Sequence, residues 1–352
     1  MATAISELSE VQRFILAELP NHPQDIAKVV GEKFGITRQA VGRHLRRLVA
    51  LGLLTAKGET RSREYTFALL GKRSAWLPIT EQLEEDAVWR EEVAPVLAGV
   101  PGNVMDICRY GVTEIVNNAM DHSGSPNVRV NVEYTASEIK IMILDEGIGI
   151  FRKIKEYCGL EDERHAILEL SKGKLTTDPN RHTGEGIFFT SRMFDSFGIL
   201  SGYLYVGCSR GGGDWLLEDR EHPFKGTSVH MNISPLSNHT NTEVFDKYAT
   251  DQDDYAFSRT HVVVALAQQF HGEKLVSRSQ AKRVMARLER FREVLLDFAG
   301  MEDVGPAFAD EIFRVFRNEH PETHITAINS NDAVGRMIRR AEAGARSEES
   351  TS

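Results

Sequence analysis

Glu114 and Asn118 stand four residues apart in the run Glu114-Ile-Val-Asn-Asn-Ala-Met-Asp-His122, inside a stretch from about Val104 that holds no proline. On a helix this spacing stacks both side chains, and His122 after them, along one face. A carboxylate so placed can take a proton from an attacking water, and a carboxamide oxygen one turn away can ligate a divalent cation. Alone, such a pair is no more than a polar helix face; the apolar Ile115, Val116, Ala119 and Met120 around it argue for a positioned one. Three further runs follow: Asp145-Glu-Gly147-Ile-Gly149, His182-Thr-Gly184-Glu-Gly186 and Gly226-Thr227. A carboxylate at a strand end can accept a hydrogen bond from an exocyclic amine, and glycines let backbone approach a ring closely. Glycines ahead of a helix expose N–H groups to phosphate, with the helix dipole assisting.

These residues need a sheet and a helix to hold them. Val128–Tyr134 and Ile139–Leu144 read as strands joined by a polar turn at Ala136–Glu138, the second delivering Asp145. Further strands are predicted near Ile199–Cys208, Trp215–Glu218 and Thr227–Ile233. Gly211-Gly-Gly213 reads as a hairpin turn, since it lacks the Lys-Ser/Thr ending and following helix of a P-loop. Residues 151–183 read as helical and then polar, with Lys172, Gly173, Lys174, Asn180 and Arg181 near the end.

In this order and setting the four runs resemble the GHKL ATPase superfamily, which includes DNA gyrase, Hsp-type chaperones, histidine kinases and anti-sigma-factor kinases. The resemblance implies a two-layer α/β sandwich that binds ATP with Mg²⁺. It implies Glu114 as general base, Asn118 as metal ligand and Asp145 as the group holding the adenine amine. By the same resemblance Gly147 and Gly149 shape the pocket, Gly184 and Gly186 meet the phosphates, Thr227 lies near the adenine, and 151–183 is a mobile lid. Phe188 departs from the family pattern, which has a small residue at that place.

Residues 1–73 carry twelve Lys and Arg against seven Asp and Glu, whereas the whole chain has a formal charge of −9. That asymmetry points to an anionic partner for this part. Apolar spacing predicts helices over 7–19, from about Gln24 to Phe34, and from Thr37 to about Leu51, with Gly35 at the turn between the last two. Two strands around Gly58 follow. The segment 5–70 resembles bacterial winged helix-turn-helix domains, and the resemblance implies double-stranded DNA as partner, met by Arg38, Gln39, Arg43, Arg46 and Arg47 on the third helix and Lys57, Arg61 and Arg63 on the wing. The same fold also serves as a protein-binding module.

Beyond a polar linker at 237–254, strand and helix signals alternate, predicting a small α/β layer. Leu295–Glu311 resembles the STAS domains of anti-sigma-factor antagonists, in which a serine is phosphorylated; here Gly305-Pro306 stands at that place, without a hydroxyl. Lys282, Arg283, Arg287 and Arg290 read as a solvated basic face. The expected organisation is α+β multidomain: winged helix 1–73, helical connector 74–98, ATP-binding domain 99–236, linker 237–254, STAS-like domain 255–342 and a disordered tail 343–352.

Glu7 and Glu10 occupy the place of a signal peptide's basic patch, and no apolar run nears the ~18 residues of a membrane span, so the reading predicts a cytoplasmic protein with no membrane partner. Three cysteines without close pairing read as reduced thiols. The expected function is an ATP-gated regulator that switches DNA or regulatory-protein binding, its oligomeric state left open although a homodimer would suit a palindromic site; the alternative is an anti-sigma-type serine/threonine protein kinase.

Overall fold

The structure, a computed structural model, describes residues 7–58, 63–175, 184–210, 215–249, 257–269 and 274–349. The chain divides into two compact units, Met1–Ile150 with Thr190–Asn241 and Phe151–Phe189 with Thr242–Ser352.

The first unit begins with α1 (Glu10–Glu18), α2 (Ile26–Phe34) and α3 (Arg38–Ala50). Ser9 and Gln12 form a reciprocal capping box at α1, and Thr37 Oγ1 accepts from Ala40 N at 3.3 Å to start α3. Ile15, Leu16, Val30, Val41, Leu45 and Leu48 close a small core. An antiparallel pair follows, β1 (Leu54–Lys57) with β2 (Glu64–Phe67); residues 59–62, Arg61 among them, lie outside the described residues.

One residue later the chain is extended again as β3 (Leu69–Pro78), where the sequence predicts a domain end at 73 and a helical connector from 74. Helix is confined to Glu85–Val88 and a π-helical turn at Trp89–Val93. The strand escapes the apolar pattern because it is a sheet edge held largely by polar neighbours: Lys72 reaches Glu133 at 2.6 Å, and Arg73 pairs with Glu92. Trp76 stays half exposed, with the Arg129 guanidinium 5.6 Å from its ring centroid.

α4 (Gly102–His122) then lies against a seven-stranded sheet of order β3-β4-β5-β9-β6-β7-β8, antiparallel throughout. Its strands are β4 (Asn127–Thr135), β5 (Ile139–Asp145), β6 (Ser196–Gly202), β7 (Leu204–Ser209), β8 (Trp215–Glu218) and β9 (Phe224–Ile233). The predicted single strand over 199–208 is a tight hairpin; Ser201-Gly202 marks its turn, a signal too short to part the apolar residues on either side. Residues 211–214 lie outside the described residues. Val128, Val130, Val132, Ile139, Ile141 and Ile143 alternate inward on the sheet, and Val104, Ile107, Val112 and Val116 are buried on α4. Each such side chain stabilises the unit by roughly 1.5–3 kcal/mol.

The second unit contains α5 (Ile150–Cys158) from its second residue onward, α6 (Glu163–Lys172) and the start of α7 (Gly186–Met193). It continues with most of α8 (Asn241–Tyr248), a helix inside the predicted linker. A parallel sheet of order β10-β11-β12 follows, built from β10 (Arg259–Val263), β11 (Glu293–Asp297) and β12 (His324–Ile328). Around it run α9 (Val264–Gln269), α10 (Arg278–Met285), α11 (Pro306–Asp310), which continues as a π-helical stretch Glu311–Phe316, and α12 (Asp332–Glu349). The predicted disordered tail is thus helical to Glu349; polarity reports burial, and Ala, Arg and Glu are good helix formers. Residues 151–189, assigned by sequence to the central domain, cluster with the C-terminal residues. Cys108, Cys158 and Cys208 are free thiols, and among the described residues no helix is long and apolar enough to cross a membrane.

Two helix-interior glycines separate propensity from packing. A Cβ at Gly42 would meet nothing within 4 Å, whereas one at Gly111 would sit 2.5 Å from Phe194 Cε2 and 3.1 Å from Met231 Sδ. Ala in place of Gly favours a helix by about 1 kcal/mol, and overpacking costs about 1–3 kcal/mol. Gly42→Ala is therefore expected to raise the urea midpoint, and Gly111→Ala to lower it, the latter with a net loss of stability of up to about 2 kcal/mol.

Candidate functional site

β5 lies third from one edge of the seven-stranded sheet and ends at Asp145, which is 5% exposed. Asp145 pairs with Thr227 across β9, itself 8% exposed. Asp145 Oδ1 accepts from Gly147 N at 2.9 Å, and Thr227 Oγ1 accepts from Ile150 N at 3.0 Å, so the loop 145–150 is pinned at both ends. Its middle is pinned to the end of α4: Ile148 N donates to Ser123 O at 2.9 Å, and Glu146 N to Ser125 Oγ at 3.1 Å. Ser125 N in turn donates to Ser123 Oγ at 3.0 Å.

This packing explains both glycines of the loop. A Cβ at Gly147 would overlap Ser123 O, and Gly149 has φ +88° with Ser201 Oγ only 2.7 Å from where its Cβ would be. Ser201 Oγ is itself fixed by donating to Gly226 O at 2.8 Å. Each substitution would strain the loop whether or not anything binds beside it. Asp145, Gly147, Gly149 and Thr227 are thus brought together as one element.

Glu114 and Asn118 are half-buried on α4. At about 1.5 Å per residue they stand some 13 Å and 7 Å along the axis from Ser123, where the loop is anchored. The helix that carries them and the loop that carries Asp145 are therefore fixed to each other. Sequence reasoning missed Ser123, Ser125 and Ser201, whose only signal is their nearness to the glycine runs.

Burial pushes the Asp145 carboxyl above its ordinary value, opposed by hydrogen bonding from Gly147 and Thr227. A buried carboxylate of this kind, with Oδ1 engaged, retains lone pairs for a further donor.

Gly184 and Gly186 belong to the second unit. Leu175 N donates to Gly184 O at 3.2 Å, and Gly186 opens α7. Residues 176–183, which include Asn180, Arg181 and His182, lie outside the described residues. Phe188, the departure from the family pattern, is 1% exposed and stacks within an aromatic cluster, 4.5 Å from Phe257 and 5.0 Å from Tyr248 between centroids. Arg287, expected on a solvated face, is instead largely buried against Glu169 at 2.7 Å. The sequence shows its charge and not the carboxylate 118 residues away that receives it.

On the N-terminal module Arg38, Gln39, Arg43, Arg46, Arg47, Lys57 and Arg63 are all exposed. Val41, Leu45 and Leu48 take the opposite side of α3 into the core. Among the described residues no carboxylate lies within ion-pair distance of Arg38, Arg43, Arg46, Arg47 or Lys57, so their charge is presented to solvent.

The C-terminal parallel sheet with its covering helices defines a small α/β module. Residues 280–334, from α10 to the start of α12, match the family described as a STAS-like domain of unknown function (DUF4325). Pro306 is the first residue of α11, with Gly305 as N-cap and Gly305 N donating to Leu275 O at 2.8 Å. No curated protein matches the chain.

Because the folded carboxyl of Asp145 titrates above the unfolded one, the folded state binds more protons between those two values, and stability falls as pH rises through that window. Asp145→Asn removes this loss. The variant is expected to gain stability over wild type on going from about pH 4 to pH 7, measured by urea unfolding at each pH.

Proposed function

We propose that the chain is an ATP-binding, slowly ATP-hydrolysing regulator in which nucleotide occupancy gates DNA or protein binding by its flanking modules. The observation that carries this reading is the buried Asp145, raised in pKa by burial and held at a strand end by a glycine loop fixed to the helix of Glu114 and Asn118. That arrangement fits the nucleotide site of a GHKL-type ATPase: Asp145 accepts the adenine amino N–H, and Thr227 orients the loop beside it. Asn118, a half-buried carboxamide, fits as the protein ligand of Mg²⁺, which would neutralise phosphate charge. Glu114 takes the proton of the attacking water. Gly184 and Gly186 offer backbone N–H groups to phosphate.

The N-terminal module is read as a winged helix whose exposed cations meet DNA phosphates and base edges. Gating requires ATP to bind two conformations unequally, so ATP shifts DNA affinity and DNA shifts ATP affinity by the same factor.

The test is phosphate release from γ-labelled ATP, with protein-bound label counted in the same samples. Glu114→Ala is expected to retain ATP binding and to lose phosphate release by about 10²–10⁴-fold. Asp145→Asn is expected to weaken ATP binding by about 10–100-fold, because its amide presents a donor to the adenine amine. Label that stays on protein would replace this reading with the protein-kinase alternative, and unchanged binding by Asp145→Asn would remove the adenine assignment.

For the DNA interface, Arg43→Ala is expected to lower the slope of log affinity against log salt by about 1, read by fluorescence anisotropy. A slope unchanged in each of Arg38, Arg43, Arg46 and Arg47 variants would transfer the module to protein binding.

A further inference from the structure

The parallel sheet of the second unit buries Thr260, Val262, Val294 and Leu296 on one face. The other face carries His261, Leu295 and Thr326 in one row and Val263, Asp297 and Ile328 in the next. Thr326 is exposed and His261, Val263, Leu295 and Ile328 are half-buried, so this face is accessible. Between its two rows His261 Nε2 lies 2.9 Å from Asp297 Oδ2. Asp297 Oδ1 accepts from Asn329 Nδ2 and from Ala299 N, each at 2.9 Å. Asp297 ends β11 and Asn329 follows β12, which puts the cluster at the carboxyl edge of the sheet, where open parallel sheets take their ligands.

Burial alone would raise the Asp297 carboxyl, but hydrogen bonds from Asn329, Ala299 and His261 outweigh it and hold the group below its ordinary value. The carboxylate is thus an acceptor, and His261 Nε2 carries the hydrogen. That leaves the lone pair on Nδ1. Among the described residues the buried side-chain nitrogens and oxygens without a partner are Thr190 Oγ1 and Asn241 Oδ1, so the unpaired Nδ1 of His261 meets solvent. No hydroxyl or thiol of the described residues is hydrogen-bonded to the ring, which is therefore not set as base to a neighbouring nucleophile. The imidazole is itself the nucleophile, oriented by a carboxylate that is oriented in turn. Arg259 and Glu293, on the same face, pair at 2.5 Å and add no net charge against an incoming anion.

We propose that His261 accepts a phosphoryl group on Nδ1 from a small acyl phosphate, with Asp297 as the positioning residue that fixes the ring tautomer. The Nδ1 lone pair forms the N–P bond, the P–O bond to the acyl group breaks, and its electron pair leaves on the carboxylate. No proton moves in the step. The ring keeps its Nε2–H, and the positive charge it gains is met by the Asp297 carboxylate. An acyl phosphate fits because its carboxylate leaves without protonation, and no other acid side chain of the described residues contacts the ring to supply a proton. This step does not use the nucleotide site and stands or falls apart from it.

The test incubates the full-length chain with acetyl phosphate and follows acid-labile phosphate by peptide mass spectrometry. The chain has twelve histidines, so the others are internal controls. His324 is the sharpest of them, since it is exposed on β12 with no carboxylate partner among the described residues. Labelling of His261 is expected to be faster than that of His324 by about tenfold or more, and His261→Gln to remove that label. Asp297→Asn can turn its amide N–H toward the ring and make Nε2 the acceptor, and is expected to slow labelling by about tenfold or more. Asn329→Gly keeps a backbone suited to φ +54°, loses the amide that holds Asp297, and is expected to slow labelling less. Equal labelling of His261 and His324, or no label on His261, would overturn the proposal and leave a structural ion pair. Unchanged labelling in folded Asp297→Asn would overturn the role of Asp297. If that variant does not fold, Asn329→Gly decides, and unchanged labelling there carries the same meaning.

Discussion

Antiparallel pairing sets Asp145 opposite Thr227, and the candidate site follows from that register. Side-chain direction alternates along a strand, so a slip of one residue between β5 and β9 would turn Asp145 out of the buried face. The slip is resisted by Ile139, Ile141 and Ile143, which share the inward face with Asp145 and would be exposed by it. Hydrophobic alternation thus does the aiming for a polar group. The loop 145–150 completes the work by hydrogen bonds to residues just past the end of α4 and on β9, so helix, strand and loop cannot shift independently.

The second unit depends on a different kind of constraint. Its parallel sheet is closed on one face by buried Val262, Val294 and Leu296, which give adhesion without direction. Direction comes from the buried Lys172, Glu169 and Arg287, whose hydrogen bonds accept few arrangements. Apolar residues hold this unit together, and charged ones decide which chain segment lies where.

Periodicity made much of the fold legible. The three N-terminal helices, α4, and the strands carrying Asp145 and Thr227 all stand near their expected places, because each has an apolar face repeating at its own period. β3 was illegible because an edge strand with charged neighbours has little apolar alternation to show. The β6–β7 turn was marked only by Ser201-Gly202, a short break between apolar residues, and α8 and the end of α12 were hidden by polar composition. At the site, the loop glycines and Asp145 could be found by type and spacing. Ser123, Ser125 and the Glu169–Arg287 pair could not, since each acts through a partner brought near by folding.

β2 ends at Phe67 and β3 begins at Leu69, leaving Ala68 alone between the hairpin of the N-terminal module and the edge of the seven-stranded sheet. Ala68 N is itself bonded to Leu53 O at 3.1 Å. A recombination event or truncation at residue 73 would split β3, stripping the sheet of half its outer strand and opening the edge of β4 to pairing with other chains. The two modules therefore share a seam, and lineages that shuffle such modules would have to exchange them together or rebuild that edge.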